Sequence, residues 1–367
     1  MGLKKYKLGE YIERSTANNH SLKYKEDLIV GVTSEGVFSL PKGNVHGVDL
    51  KPYKIVNNGD FVYNPSRFDL GSIAYRTEGL CIVSHLYQIF HLNEKGKEKI
   101  DPIWLFIYLR RNEFRREVTF RNFGSQRPEF NFNDLSDIEF PLPSIEQQRK
   151  YVDVYLALQN NLAAYQSKVE ELKLVCDGYI EELRRNFGAE PIGPYLRSID
   201  VRNNNLLVTL TQGVDVNMQF IPAKREAEDQ EGTKIVRTGQ FAFNKVVKSN
   251  GTKLPIALRD GPDCVISSSY EVFEVVDKEK LLPEYLMLWL SRSETHRQCG
   301  YRSYGTTRDV FPFEDLCKLQ FPIPNIETQK DIANIYKCYI ERQRITEALK
   351  EQLKKICPVL IRGSLSE

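Results

Sequence analysis

The sequence predicts two α/β (α+β) domains in tandem, each followed by a long helix. The two helices are expected to pair as an antiparallel coiled coil about an internal pseudo-two-fold. Three observations carry that expectation. Residues 120–148, FRNFGSQRPEFNFNDLSDIEFPLPSIEQQ, match residues 301–329, YRSYGTTRDVFPFEDLCKLQFPIPNIETQ, at an offset of 181 without a gap, and 13 of the 29 positions are identical. Unrelated stretches of average composition would share about two. Apolar residues step by three and four along residues 155–183, the spacing of a coiled-coil seam. Each half also runs through the same order of short strand-like segments, a helix, a Pro-x-Pro element and a long helix. Solenoid repeats span a few tens of residues, so a period this long is a duplicated domain-sized unit. A unit with a built-in two-fold suits a target that also has one, of which duplex DNA is the commonest.

The expected boundaries are a first domain at 1–143, a long helix at 144–188, a second domain at 189–324 and a C-terminal helix at 325–367. Near the starts, Leu8-Gly9-Glu10-Tyr11 corresponds to Ile192-Gly193-Pro194-Tyr195, and KIVNNGDFVYN at 54–64 to KIVRTGQFAFN at 234–244. Cys81, Ser84, Tyr87 and Phe90 stand opposite Cys264, Ser267, Tyr270 and Phe273. Similarity fades in 13–50 and 197–230, where the halves are free to do different jobs. Segments 27–38, 60–64 and 80–90, punctuated by Gly, Asn and Pro, read as strands and turns. A helix is expected over 102–116 and another over 283–299, each with Pro at its start, where the missing N–H costs nothing. Pro141-Leu142-Pro143 and Pro322-Ile323-Pro324 cannot be helical. Ser144 and Asn325 then cap the long helices, with Gln147 completing a capping box only in the first.

Tyr155, Leu158, Leu162, Tyr165, Val169, Leu172, Cys176, Tyr179 and Leu183 form the first seam. Residues 145–187 give about 64 Å of helix at 1.5 Å per residue, ended by Gly188 and Pro191. In the C-terminal helix Ile332, Ile335, Tyr339, Leu349, Leu353, Ile356 and Leu360 fit a seam. Arg342 and Thr346 interrupt it, and Pro358 is expected to kink or stop its end. With the order domain, helix, domain, helix, antiparallel pairing puts the two domains at opposite ends of a shared rod; parallel pairing needs a long return connection.

At 367 residues and 41% hydrophobic, the chain can bury substantial cores. It has no apolar run of membrane-spanning length, and Met1-Gly2-Leu3-Lys4-Lys5 leads into no signal core, so a soluble cytoplasmic protein with no membrane partner is expected. The seven cysteines show no CxxC pair, and Cys81/Cys264 and Cys176/Cys357 sit in apolar contexts. Buried reduced thiols are expected, with no metal.

The net charge of +2 does not announce a nucleic-acid binder, but its distribution is uneven. Arg110, Arg111, Arg115, Arg116, Arg121 and Arg127 crowd one stretch, and Arg292, Arg297, Arg302 and Arg308 the matching one. Local basic patches suffice to contact phosphates, although any one patch also reads as a solvated helix surface. Arg76 and Arg259 read as exposed strand positions, and Phe120/Tyr301, Phe123/Tyr304, Phe130/Phe311 and Phe132/Phe313 as core. No Gly-x-Gly-x-x-Gly turn, P-loop, nucleophile elbow or His/Glu metal motif is present, so no catalytic residue is assigned. Asn64-Pro65-Ser66-Arg67 is not the Asn-Pro-Pro-aromatic signature of amino-methyltransferases.

With these residues in view, the chain resembles the specificity subunit of type I restriction–modification enzymes over nearly all its length. The shared pattern is a variable target-recognition domain, a Gly-Ser/Thr turn (Gly124-Ser125, Gly305-Thr306), the Pro-x-Pro element and an Ile-Glu-x-Gln helix start (Ile145 to Gln148, Ile326 to Gln329), all occurring twice. Asn64-Pro65-Ser66-Arg67 followed by Gly71-Ser72 also resembles a stretch of these domains; the second half keeps Asn244 with Lys245 and Lys248 around it. The resemblance implies that each domain reads one half of a split DNA sequence. It implies that the helices fix the gap and dock two methyltransferase subunits, and that the assembly methylates adenine. S-adenosylmethionine then belongs to the methyltransferase, ATP and Mg to any added restriction (motor-nuclease) subunits, and this chain needs no cofactor of its own. A homodimer through the rod stays open when the partner is absent.

Residues shared by both halves cannot distinguish two half-sites, so Arg121, Ser125, Arg127, Arg302, Thr306 and Arg308 are expected to face phosphates, together with Arg67, Lys245 and Lys248. Base readers are expected in the divergent stretches: Thr33, Ser34, Lys42, Asn44 and His46, then Thr211, Gln212, Asn217, Gln219 and Lys224. Two other classes stay open: a symmetric protein–protein scaffold without DNA specificity, and a DNA-modifying enzyme of unrecognised type.

Overall fold

A computed structural model describes residues 4–41, 43–121, 129–223, 232–246, 253–304 and 309–366. Contacts divide the chain into two units, residues 1–164 with 346–367, and residues 165–345. In the first unit a four-stranded antiparallel sheet runs in the order Ile12–Arg14, Gln88–Leu92, Phe61–Tyr63, Ile73–Tyr75. Lys54–Val56 pairs with Cys81–Val83, and Gly31–Val32 with Phe38–Ser39. The second unit repeats the plan: Leu196–Ile199, Tyr270–Val275, Phe241–Asn244, Ile256–Leu258, with Lys234–Val236 on Cys264–Ile266 and Gln212–Val214 on Phe220–Pro222. The alternating segments around Gly and Asn turns thus close into antiparallel sheets, the α+β form of the expectation.

Among the described residues the helices are α1 (Glu94–Lys99), α2 (Pro102–Arg110), α3 (Asn112–Arg121), α4 (Phe132–Ser136), α5 (Ile145–Asn186), α6 (Pro283–Leu290), α7 (Ser293–Arg302), α8 (Phe313–Leu316) and α9 (Ile326–Ser364). The single helices expected over 102–116 and 283–299 are each two. Arg111 leaves the helical region with ψ at 155°, as does Arg292 with ψ at 142°. The turn lets α2 bury Trp104, Leu105 and Tyr108 while α3 buries Phe114 and Val118, which one straight helix could not do on a single stripe.

The Pro-x-Pro elements form edge pairs: Glu139–Pro141 lies antiparallel to Lys5–Lys7, and Gln320–Pro322 to Ala189–Pro191. The Ile-Glu-x-Gln start has a structural reason. Gln148 is fully buried; its Oε1 accepts from Asp101 N at 2.8 Å, and its Nε2 donates to Lys99 O and Pro143 O at 2.8 and 2.9 Å. Gln329 does the same with Leu282 N, Lys280 O and Pro324 O at 2.9, 2.8 and 2.8 Å. Each amide satisfies three backbone groups at the junction of Pro-x-Pro, long helix and α2 or α6, and burying such groups unpaired is costly. Both cap bonds form, Ser144 Oγ accepting from Gln147 N and Asn325 Oδ1 from Thr328 N.

α5 and α9 pack antiparallel in each unit considered by itself. In the first, Tyr151 lies against Gly363, and Tyr155 faces Cys357. In the second, Arg342 sits over the Tyr165 ring at 5.7 Å, Cys176 faces Tyr336, and Ile180 and Leu183 share a core with Ile332 and Ala333. Tyr155 and Cys176 are buried, and Leu158, Leu162, Tyr165, Val169, Leu172, Leu349, Leu353 and Ile356 half-buried, as seam positions should be. Three details correct the expectation. Tyr179 is 44% exposed and Ile180 is buried in its place, because a helix of 3.6 residues per turn drifts against a 3.5 repeat. Arg342 lies over Tyr165 of the partner helix and Thr346 is buried, so neither breaks the seam. Pro358 does not end α9, which runs on to Ser364; the burial of Leu360, Ile361 and Ser364 outweighs the one backbone bond that proline removes.

No helix among the described residues is long and apolar enough to cross a membrane. No disulfide forms: Cys81, Cys176, Cys264 and Cys299 are buried free thiols, Cys317 and Cys357 half-buried, and Cys338 exposed.

Candidate nucleic-acid interface

The basic stretch of the first half divides into two sets. Arg110, Arg111 and Arg115 turn inward. Arg111 lies over the Tyr108 ring at 3.7 Å and donates to Tyr108 Oη. Arg115 Nε donates to Asp69 O at 2.6 Å. The Arg110 guanidinium reaches Ser34 O at 3.3 Å and Gly71 O and Ile73 O at 3.5 Å. Arg116 and Arg121 stay on the exposed face of α3, ion-paired along the helix to Glu113 and Glu117. Surface pairs of this kind contribute little to stability, so the two arginines remain available to an anion.

The inward arginines fasten two segments beside α3. One is the loop at 64–72: Asn64 Oδ1 accepts from Ser66 N, Ser72 N donates to Arg67 O, and the Arg67 side chain is exposed. Gly71 has φ of +90°, and a Cβ there would meet Ser34 O at 3.0 Å, so the close approach of loop and hairpin requires glycine. The other is the hairpin that carries Thr33 and Ser34. Arg67, Thr33 and Ser34 are therefore brought into one neighbourhood. Asn44 and His46 are not. They belong to a separate turn, where His46 Nδ1 lies 3.0 Å from Glu26 Oε2 and Asn44 Oδ1 accepts from His46 N.

In the second half the same scaffold carries other side chains. His296 is the counterpart of Arg115; its Nδ1 accepts from Leu254 N at 3.1 Å, and burial lowers its pKa, so it is neutral at pH 7. Arg292, the counterpart of Arg111, pairs with Asp177 and Glu294. Arg302 is exposed at the end of α7. Lys245 Nζ pairs with Glu271 at 3.0 Å, and its carbonyl accepts from Phe311 N. Thr211, Gln212, Asn217 and Gln219 all lie on or beside one hairpin; Gln212 Oε1 accepts from Arg259 at 2.7 Å, and Asp215 holds Asn217 and Gln219. Ser125, Arg127, Thr306, Arg308, Lys42, Lys224, Lys248 and Phe123 lie outside the described residues.

Two expectations need correction. Arg259 is not an exposed strand residue: it is 6% exposed, bonded to Gln212 and to Pro262 O, and lies over the Phe220 ring. Arg76 is half-buried over Phe38. Of the aromatics assigned to the core, Phe130 and Phe311 are fully buried and Phe132 and Phe313 partly so, but Phe120 is 82% exposed, Tyr301 92% and Tyr304 65%. Phe120 lies two residues past buried Val118, about half a turn round the helix, and Tyr301 follows buried Cys299 in the same way. Exposed aromatics therefore stand beside Arg121 and beside Arg302.

Sequence reasoning missed the inward role of Arg110 and a shared loop before the hairpins. Asn19 is buried, donating from Nδ2 to Tyr24 O at 2.8 Å and accepting from Tyr24 N at 3.1 Å. Asn203 makes the same pair with Val208, at 2.9 and 3.3 Å. Inside each bracket a leucine has positive φ, Leu22 at 54° and Leu206 at 53°. Non-glycine residues rarely adopt that conformation. Among the described residues no cluster of three or more His, Cys, Asp or Glu could hold a metal.

Comparison with known proteins gives this arrangement a family. The model of the type I restriction modification DNA specificity domain matches residues 3–174 and again 200–355. A candidate specificity subunit of the type I restriction enzyme MjaX from Methanocaldococcus jannaschii is 22% identical over 305 residues, covering 74% of this chain and 69% of that protein. The specificity subunit of the type I restriction enzyme HindI from Haemophilus influenzae is 24% identical over 184 residues, 49% of this chain and only 37% of the relative. A crystal structure of a type I restriction–modification S subunit from M. genitalium superposes with a TM-score of 0.64 at 12% identity, covering all of this chain and 97% of that one.

Proposed function

Because the chain belongs to the type I restriction modification DNA specificity family, we propose that it is the subunit that chooses the DNA sequence, each domain reading one half of a divided target. One observation carries the reading. The same assembly of hairpin, loop and helix occurs twice with different side chains at the hairpin tips, Thr33-Ser34-Glu35-Gly36 in one and Asp215-Val216-Asn217-Met218 in the other. A common scaffold with exchanged donors and acceptors suits two different half-sites, since base edges are distinguished by donor and acceptor pattern. Arg116 and Arg121 in one domain and Arg302 in the other supply the sequence-independent phosphate contacts, as do Arg67 and the Gly-Ser/Thr turns.

The antiparallel helices act as a spacer of fixed length and as the docking surface for two methyltransferase subunits. Those subunits carry S-adenosylmethionine and transfer the methyl group to adenine; restriction subunits using ATP and Mg complete a nuclease. The chain itself contributes no catalytic group and works in the cytoplasm. Co-expression with the methyltransferase of the same genome tests the whole reading: the purified complex should contain both proteins and methylate a two-part motif with a constant gap, mapped by long-read sequencing. An uninterrupted motif, or methylation that does not depend on this chain, would refute it.

A further inference from the structure

We propose that Arg110 is the positioning residue that locks the base-reading hairpin of the first domain onto its spacer helices, and that the second domain performs the same task with an apolar plug, Met218. The inference rests on the hairpins being base readers.

The two hairpin turns are the same turn. Thr33 N donates to Val37 O and Gly36 N to Thr33 O; Asp215 N donates to Gln219 O and Met218 N to Asp215 O, all at 3.0 to 3.2 Å. The equivalent residues Gly36 and Met218 have φ of +77° and +62°. Methionine in the second domain shows that the backbone alone does not demand glycine. The reason for glycine in the first is the neighbour: a Cβ on Gly36 would lie 1.2 Å from Arg110 Nη1 and 2.8 Å from Ile73 O. The guanidinium occupies the space that Met218 would fill.

From that place Arg110 faces three separate parts of the domain. It reaches the hairpin through Ser34 O, and the loop and the strand after it through Gly71 O and Ile73 O. It lies over Phe106 at 5.3 Å. Tyr155 on α5 and Cys357 on α9 also face it, together with Arg115 and Glu35. Burial lowers its pKa from the ordinary guanidinium value, yet a guanidinium stays charged in proteins.

The second domain has the complementary pair. The position matching Arg110 is Ser291, whose Oγ donates to Leu288 O and accepts from Tyr336 Oη of α9, both at 2.7 Å. Tyr336 is the counterpart of Tyr155, and Met218 packs against the domain core. Glycine at the tip with arginine on α2 is matched by methionine at the tip with serine after α6, so volume is placed at the hairpin tip instead of on the helix. Either residue exchanged alone fails: methionine beside Arg110 clashes, and serine beside Gly36 leaves a void and three carbonyls without their cation. A reading hairpin has to be held to about half an ångström, the task assigned to Arg110 in one domain and Met218 in the other.

The test uses the full-length chain co-expressed with its methyltransferase. A randomised duplex library defines the target, and duplexes with either half scrambled measure discrimination half by half. Arg110→Ser should lower discrimination at one half-site roughly tenfold, with the other half-site and the salt slope unchanged. Arg110→Lys, which keeps the charge but not the fork, should lose about as much. The double variant Gly36→Met/Arg110→Ser should recover part of the loss, since the Ile73 carbonyl also has to give by a few tenths of an ångström. Equal losses at both halves, a salt slope reduced by a whole phosphate contact, full discrimination in the lysine variant, or a well-folded double variant no better than the single would each overturn the positioning role. If the wild-type complex selects no divided sequence, the DNA reading itself fails; if it does and Arg110→Ser leaves both halves intact, only the positioning role fails.

Discussion

Trp104 Nε1 donates to Ser364 Oγ at 2.9 Å, both groups buried, so the last turn of α9 is bonded into the core of the first domain. The second domain lacks this bond. The position matching Trp104 is Tyr285, whose Oη donates instead to Pro322 O at 2.8 Å, and the position matching Ser364 is Leu183. Ser364→Ala would leave Trp104 Nε1 buried without an acceptor. The expected cost is about 1–3 kcal/mol for an orphaned buried donor, read as a lower urea midpoint with an unchanged slope. A midpoint within error of wild type would mean that the bond contributes nothing.

Removing an exposed arginine from either helix end should weaken DNA binding evenly. Arg121→Ala and Arg302→Ala are expected to lower affinity by similar factors on every duplex and to reduce the salt slope by about one each. Anisotropy titrations at several salt concentrations measure both. A changed base preference at constant slope would make these residues readers instead.

Lengthening the rod should widen the gap. Seven residues inserted after Tyr165 in α5, matched by seven before Arg342 in α9, keep the facing pairs in phase and add about 10 Å. At 3.4 Å per base pair this is about three base pairs, visible in the methylated motif of the variant. An insertion in one helix alone should instead destabilise the chain, because it puts every later seam residue out of step.

Acid should destabilise the second domain through Glu294. Its carboxyl is held below the ordinary glutamate value by the bond from Arg184, aided by Arg292, with burial opposing. A depressed folded pKa stabilises the fold above the unfolded value of about 4.3, and that contribution is lost as the pH falls through the folded value. Glu294→Gln should flatten the acid arm of a plot of urea midpoint against pH, leaving its neutral shape alone. An acid arm as steep as in wild type would show that other carboxylates dominate it.

How much of this was legible in the sequence varied with the physics. The duplicated Pro-x-Pro and Ile-Glu-x-Gln blocks were visible because Gln148 and Gln329 each satisfy three backbone groups, a task no neighbour can share. The seam was visible through Cys176 and again at Leu183, and only Tyr179 gave way to its neighbour Ile180. Phe120 and Tyr301 were misplaced because matching positions show equivalence, not burial. The Asn19 and Asn203 loops lay hidden in stretches where the halves otherwise diverge, since one buried amide sets the path and leaves the other letters free. The Gly36–Arg110 and Met218–Ser291 exchange was hidden for a related reason. Each half changes two distant letters, and only coordinates put them side by side.

The asparagine bracket has a consequence for how such a chain can diversify. A saturation library across 18–24 and 202–208 should tolerate nearly any letter at the exposed rungs and almost none at 19 and 203. Surface chemistry there can then be rewritten one codon at a time while the frame beneath it stays put.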